Sequence, residues 1–269
     1  MIVLGVLAGV GTVTAVTVAW LLTGPSSDRD PTAAAPVVGD HDDTGVVEAD
    51  ARALSDGYAV WDRGPDGTPT RWDPCTPIDL VVSPTGAPAS LDVAAWRRDV
   101  EQAAATIAAA SGLHLRVSQG AAERPTADRG TLGADGWAPV LIGWVDPAAA
   151  DLPLRDTDRA IAVPVAVRDG GGGAVFVTGQ VVLNGDRDDL RPGRDDRADT
   201  WGAVLVHELG HLVGLDHVDD PEQLMHRYPG EGPVELGAGD RAGLTALGAA
   251  AGCIEVPPPT DLEVTIPSR

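Results

Sequence analysis

The chain has 269 residues with 40 acidic against 19 basic side chains, a formal net charge of −21, and no lysine. This acidic excess argues against nucleic-acid binding, which needs basic patches to neutralise phosphates. The length suits one apolar N-terminal segment and one domain of roughly 200 residues, large enough to bury a real core.

Ile2 to Thr23 is a run of about 22 residues without a charge, longer than a signal-peptide core and long enough to span a bilayer. It reads as a retained anchor over residues 1–24, with secretion after signal cleavage as the alternative. No basic residue precedes it, and Asp28, Arg29 and Asp30 do not orient it. Residues 25–50 are rich in Pro, Ala, Gly and Asp and read as a flexible acidic tether. His41 belongs to that tether and is better explained as solvated than as a ligand. The Ala, Gly, Arg and Asp bias without lysine is of the kind that GC-rich bacterial genomes produce.

A folded domain is expected over residues 51–255. Ile78 to Val82 is a short apolar strand between prolines. Ser90 can cap a helix to about Ser111, whose stripe of Val93, Trp96, Val100, Ala103, Ile107 and Ala110 keeps spacings of three and four; Gly112 ends it. Leu113 to Val117 alternates as a second strand, with His114 pointing away from Leu113. Val140 to Val145 is a third strand. Ile161 to Val167 and Ala174 to Leu183 flank a glycine run, a hairpin signal. Pro164 marks the first arm as an edge, because proline cannot donate to a ladder. The stretch 184–199 mixes aspartates with arginines. Calcium there is possible but unsupported, since the spacing of a calcium loop is missing, and a salt-bridged loop is expected. Asp199 or Thr200 should cap the helix that follows. Residues 256–269 open with three prolines and should be extended.

Residues 207–217 read HELGHLVGLDH, which places His207, Glu208, His211, Gly214 and His217 in the pattern H-E-x-x-H-x-x-G-x-x-H. From this composition a chance match is on the order of 10⁻⁵, so a helix that merely contains histidines is a poor explanation. Histidines four apart share one helix face and can reach one metal ion. Gly214 tolerates the left-handed backbone that ends a helix and lets the chain return with His217. Three neutral nitrogens suit Zn²⁺ and leave a fourth position open for water, the catalytic rather than the structural arrangement. Glu208 is placed to accept a proton from that water. Cys75 and Cys253 are an even pair and suggest a disulfide in an extracytoplasmic compartment. Two free thiols and a thiol switch are the alternatives.

The histidine motif resembles that of the metzincin metalloproteases, matrixin-like branch. Met225 follows His217 at the distance of that family's Met-turn. Leu224-Met225-His226-Arg227-Tyr228-Pro229 is similar to the matrixin Leu-Met-Tyr-Pro run with two residues inserted, and residues 236–248 resemble the family's last helix. The resemblance implies an α/β (α+β) zincin-like fold: a twisted, mostly parallel sheet with one antiparallel edge strand, a long active-site helix and a small C-terminal subdomain. It also implies an apolar floor at Met225, with His226 not a ligand. Substrate contacts are implied at Tyr228 and along the edge strand at Val163 and Val165. The function implied is a zinc-dependent endopeptidase acting on a peptide or protein substrate; the apolar N-terminal run would anchor it to the membrane, the cysteine pair and the resemblance face it outward, and a monomer is expected. A catalytically idle binding module and a peptidase of cell-wall peptides are the competing readings. The intact Glu208 speaks against the first of these, the metzincin motifs against the second.

Overall fold

The computed structural model describes residues 57–120, 122–127, 129–130, 136–168, 174–195, 199–227, 233–259 and 264–265. The apolar N-terminal run, the acidic tether, the glycine run at 169–173 and Tyr228 lie outside them. Among the described residues no helix is long and apolar enough to cross a membrane.

The order of elements is β1 (Ala59–Val60), β2 (Ile78–Val82), α1 (Val93–Ser111), β3 (Leu115–Gln119), β4 (Val140–Val145), β5 (Ala160–Arg168), β6 (Ala174–Asn184), α2 (Trp201–Leu212), β7 (Leu215–Asp216), α3 (Ala238–Leu247) and β8 (Val264–Thr265). Six strands form one sheet in the order β3-β2-β4-β6-β5-β8, while β1 pairs only with β7. The pairs β2–β3, β2–β4 and β4–β6 are parallel, and β5 runs antiparallel to β6. This is the mixed sheet expected from the resemblance. The antiparallel strand is not bare along its whole length, because β8 pairs with Ala166 and Val167 on its outer side.

Local chemistry explains the boundaries. α1 starts behind Asp92, whose carboxylate accepts from the N–H groups of Ala94 and Ala95. Ser90 is therefore not the cap: the carboxylate of Asp92, two residues later, reaches two orphan donors at once. Gly112 closes the helix at φ 72°, a left-handed geometry that glycine adopts without a Cβ penalty. The strand expected at Leu113 begins instead at Leu115, because the helix-ending turn uses Leu113, whose N–H donates to Ser111 Oγ at 3.1 Å.

One main core lies between the sheet and the helices. Trp96, Val100 and Ile107 of α1 meet Leu80 of β2, Ile142 and Trp144 of β4, Leu183 of β6 and Leu205 and Leu209 of α2. A satellite cluster of Val165, Val167, Val175 and Val177 is covered by Trp137, Ile254 and Val256. The chain after α3 is thus packed down, and a Cys75–Cys253 disulfide with Cα atoms 5.5 Å apart holds it. Asp73 fastens both sides of that bridge: Oδ1 accepts from the N–H groups of Cys75 and Ile254, each at 3.1 Å. The bond closes a loop spanning 178 residues. A loop of that length contributes about 5 kcal/mol in the chain-entropy account.

The stretch 184–199 is salt-bridged as expected. Arg191 pairs with Asp195 and Asp199, and Arg187 with Asp189.

Candidate metal centre

α2 delivers the first two histidines, and its placement is strongly determined. Thr200 caps it, accepting from the N–H of Ala203, and all twelve of its residues are buried. Trp201 meets Trp144 edge-on at 4.7 Å, and Trp144 meets Trp96 at 5.5 Å, so three indoles tie the start of α2 to β4 and α1. At the other end the indole N–H of Trp72 donates to Leu212 O at 2.8 Å, pairing a carbonyl that the helix itself cannot satisfy.

The return to His217 depends on Gly214, which has φ 110°. A Cβ there would also lie 3.2 Å from Phe176 Cε2 and 3.3 Å from Thr70 O. Gly210, inside the motif, has a separate role that periodicity does not disclose. A Cβ on it would come within 2.6 Å of Met225 Sδ, so the missing side chain is what lets Met225 pack under the helix.

His207, His211 and His217 converge. Their Nε2 atoms are 3.1 Å apart for His207–His211, 3.2 Å for His207–His217 and 3.1 Å for His211–His217. His207 Nδ1 lies 2.9 Å from Leu224 O and His211 Nδ1 2.9 Å from Leu215 O. A carbonyl oxygen only accepts, so the ring proton sits on Nδ1 in both, and each Nε2 turns a lone pair to the common centre. Three lone pairs facing one another in a buried site are unfavourable without a cation. Tetrahedral zinc with Zn–N of 2.0–2.1 Å sets its nitrogens about 3.3 Å apart, close to the spacing here. The three imidazoles form a ligand set of their own. His114 and His226 are not part of it, and among the described residues the other cluster of metal-capable side chains is Asp73 with the two bonded cysteines. The residues present fit zinc, with His207, His211 and His217 as ligands and a position left over for water.

Glu208 is buried beside the triad. Burial pushes its carboxyl up to about 8, the negative charge of Asp158 adds to the rise, and a hydrogen bond from the N–H of Ala162 opposes it. A dication at the imidazoles would act against the rise by favouring the carboxylate. The Ala162 contact joins the acid to β5.

Several supporting residues carry no sequence signature. The Trp61 ring lies edge-on to His211 at 5.2 Å, and the Trp61 backbone N–H donates to Gly214 O at 2.8 Å. Asp240, at the start of α3, accepts from the N–H groups of Leu224 at 2.6 Å, Met225 at 3.3 Å and Gly237 at 2.8 Å. Gln223 reciprocates, with Oε1 accepting from Gly239 at 2.8 Å and Asp240 at 3.1 Å. The turn carrying Met225 is thereby clamped to α3, and Leu224 O is held where it receives the His207 proton. Burial raises the Asp240 carboxyl above its ordinary range, although the three N–H donors pull it down. In the sequence Asp240, next to Arg241, looks like any surface Asp until the turn is seen against it. Val163 and Val165 are packed in the two satellite clusters. The hollow lined by Trp72, Asp79, Trp137, Phe176 and Val256 contains none of the zinc ligands.

A glutamate beside three converging histidines, under a methionine turn and against a sheet edge, defines a zinc-dependent peptidase. Residues 155–248 match the family model of the matrixins. The matched stretch is a matrixin-type zinc metalloendopeptidase site, with zinc bound by the histidine triad and Glu208 beside it. No curated protein matches the chain.

Proposed function

We propose that Glu208 is the general base of this endopeptidase and that the peptide substrate lies along the outer side of β5. The observation that carries the proposal is the burial of Glu208 beside the converging histidines, with the backbone N–H of Ala162 near enough to lower its carboxyl. It sets the proton acceptor at the strand that would hold the substrate backbone.

When bound, zinc supplies a Lewis acid that polarises the scissile carbonyl and lowers the pKa of water to about 7. The Glu208 carboxylate takes the proton of the attacking water and passes it to the leaving amine nitrogen. The buried walls around the triad exclude bulk water from that transfer. Backbone groups of β5 orient the peptide. An antiparallel strand alternates its N–H and C=O groups between its two sides. Ala162 directs its N–H away from β6, so Pro164 and Ala166 share its outward side. Proline at 164 offers no donor there and the Ala162 N–H faces Glu208, so on this stretch the donor left for the substrate backbone is that of Ala166, while Val163 and Val165 act by shaping the strand. Tyr228 is proposed to line the pocket for the residue after the cut.

The disulfide supports an extracytoplasmic domain, and the apolar run at Ile2–Thr23 would tether it to a membrane. Protease accessibility on intact cells, together with the size of the membrane-bound protein, tests this placement; a domain protected from external protease would refute it. For the chemistry, Glu208→Gln should retain zinc and fold but lose peptide hydrolysis by several orders of magnitude. Turnover equal to wild type would rule out the general-base role.

A further inference from the structure

We propose that the C-terminal segment is an autoinhibitory strand: β8 occupies in cis the part of the β5 edge that a long substrate needs. This rests on the reading that substrate pairs with β5.

The observation is the antiparallel register Val167↔Val264 and Ala166↔Thr265. Ala166 is an outward position of β5 with a donor to offer, four residues beyond Ala162. The tail demonstrates that this edge accepts a strand and in which direction. A substrate in that direction, cut beside Ala162, sets its earlier residues against later residues of β5. Ala166 is four residues from Ala162, about 13 Å at the strand rise. A peptide with only two or three residues before the cut passes clear of β8. One with five or more must displace it.

The tail is well placed to compete. Its base is fixed by the Cys75–Cys253 bond, by Ile254 N–H on Asp73 and by Trp137 Nε1 donating to Pro257 O at 2.9 Å. From Pro259 only four residues intervene before Val264. Such a short tether gives an effective concentration of the order of millimolar, enough to populate a short ladder that a longer peptide can still replace. Substrate length is therefore selected by the enzyme's own chain.

The test compares the full chain, the chain ended after Pro259, and Thr265→Pro in the full chain, which spoils the strand without shortening it. Amide exchange at Ala166–Arg168 should accelerate in both altered proteins. KM for a peptide with six residues before the cut should fall about fivefold, as for a tail paired in about four molecules of five. Its kcat should hold, and KM for a peptide with two residues before the cut should not move. Unchanged exchange overturns the pairing. Faster exchange without a lower KM for the long peptide overturns the inhibition. The underlying reading is checked separately in Glu208→Gln ended after Pro259. If the long peptide binds there without protecting the amide of Ala166, the substrate does not use β5 and the inhibitory role falls with that reading.

Discussion

Asp240→Asn should loosen the zinc site from a distance. The substitution conserves shape but leaves one acceptor oxygen where there were two. Placed at the Oδ2 position, that oxygen keeps the bonds from Leu224 and Gly237. The amide NH₂ then faces the N–H of Met225, which now bonds Oδ1. One buried donor left unpaired costs about 1–3 kcal/mol, so the variant should unfold in urea with a stability about 2 kcal/mol lower. The same change frees the turn whose Leu224 carbonyl holds His207 Nδ1. Loss of such an outer support weakens metal binding by about 10- to 100-fold. Chelator competition on the folded protein reads this directly. The pH dependence has a defined sign. Because burial raises the folded Asp240 pKa above its ordinary value, its titration contributes stability that is full below the ordinary carboxylate pKa and is lost as pH rises through the folded value. The advantage of wild type over Asn should shrink across that window. Zinc affinity and urea midpoint both equal to wild type would refute the clamp.

Three further outcomes follow from the same contacts. Gly214→Ala forces a Cβ into a φ of 110° and against Phe176 and Thr70; a loss of about 1–3 kcal/mol is expected in denaturant melts, and a neutral result would refute the strain argument. Reduction of the Cys75–Cys253 bond should lower stability by about 5 kcal/mol, and thiol labelling of the unreduced, denatured protein should find no free cysteine; ready labelling of both would refute the bond. Burial alone would raise Asp73, but hydrogen bonds from Thr76, Ile254 and Cys75 and the charge of Arg71 outweigh it and hold its carboxyl below the ordinary range. Its stabilisation is thus present above the ordinary carboxylate pKa of 3.8 and lost as pH falls through the folded value. Asp73→Asn should flatten the acid limb of the stability curve, and an unchanged limb would refute this.

The metal centre was legible in the sequence because its geometry is almost entirely local. His207 and His211 share a helix face by periodicity alone, Gly214 announces the return, and His217 follows within one turn of chain. The strands and helices were legible where one face is apolar, as in α1, or where a short run is apolar throughout, as in the hairpin arms. The sequence pointed to Ser90 as the cap of α1, and only the folded backbone showed that Asp92, two residues on, reaches the free N–H groups. The long-range pieces could not be read in advance. Asp240 is an ordinary acidic residue until α3 brings it under the Met225 turn, 15 residues away along the chain. Gly210 carries no meaning until Met225 Sδ fills the space its missing Cβ leaves, and Trp61 none until β1 pairs with β7. The tail's place on β5 is likewise a product of tertiary structure. Strand pairing between distant segments depends on which edge remains open after the core has formed, and no local pattern in residues 264–265 encodes that choice.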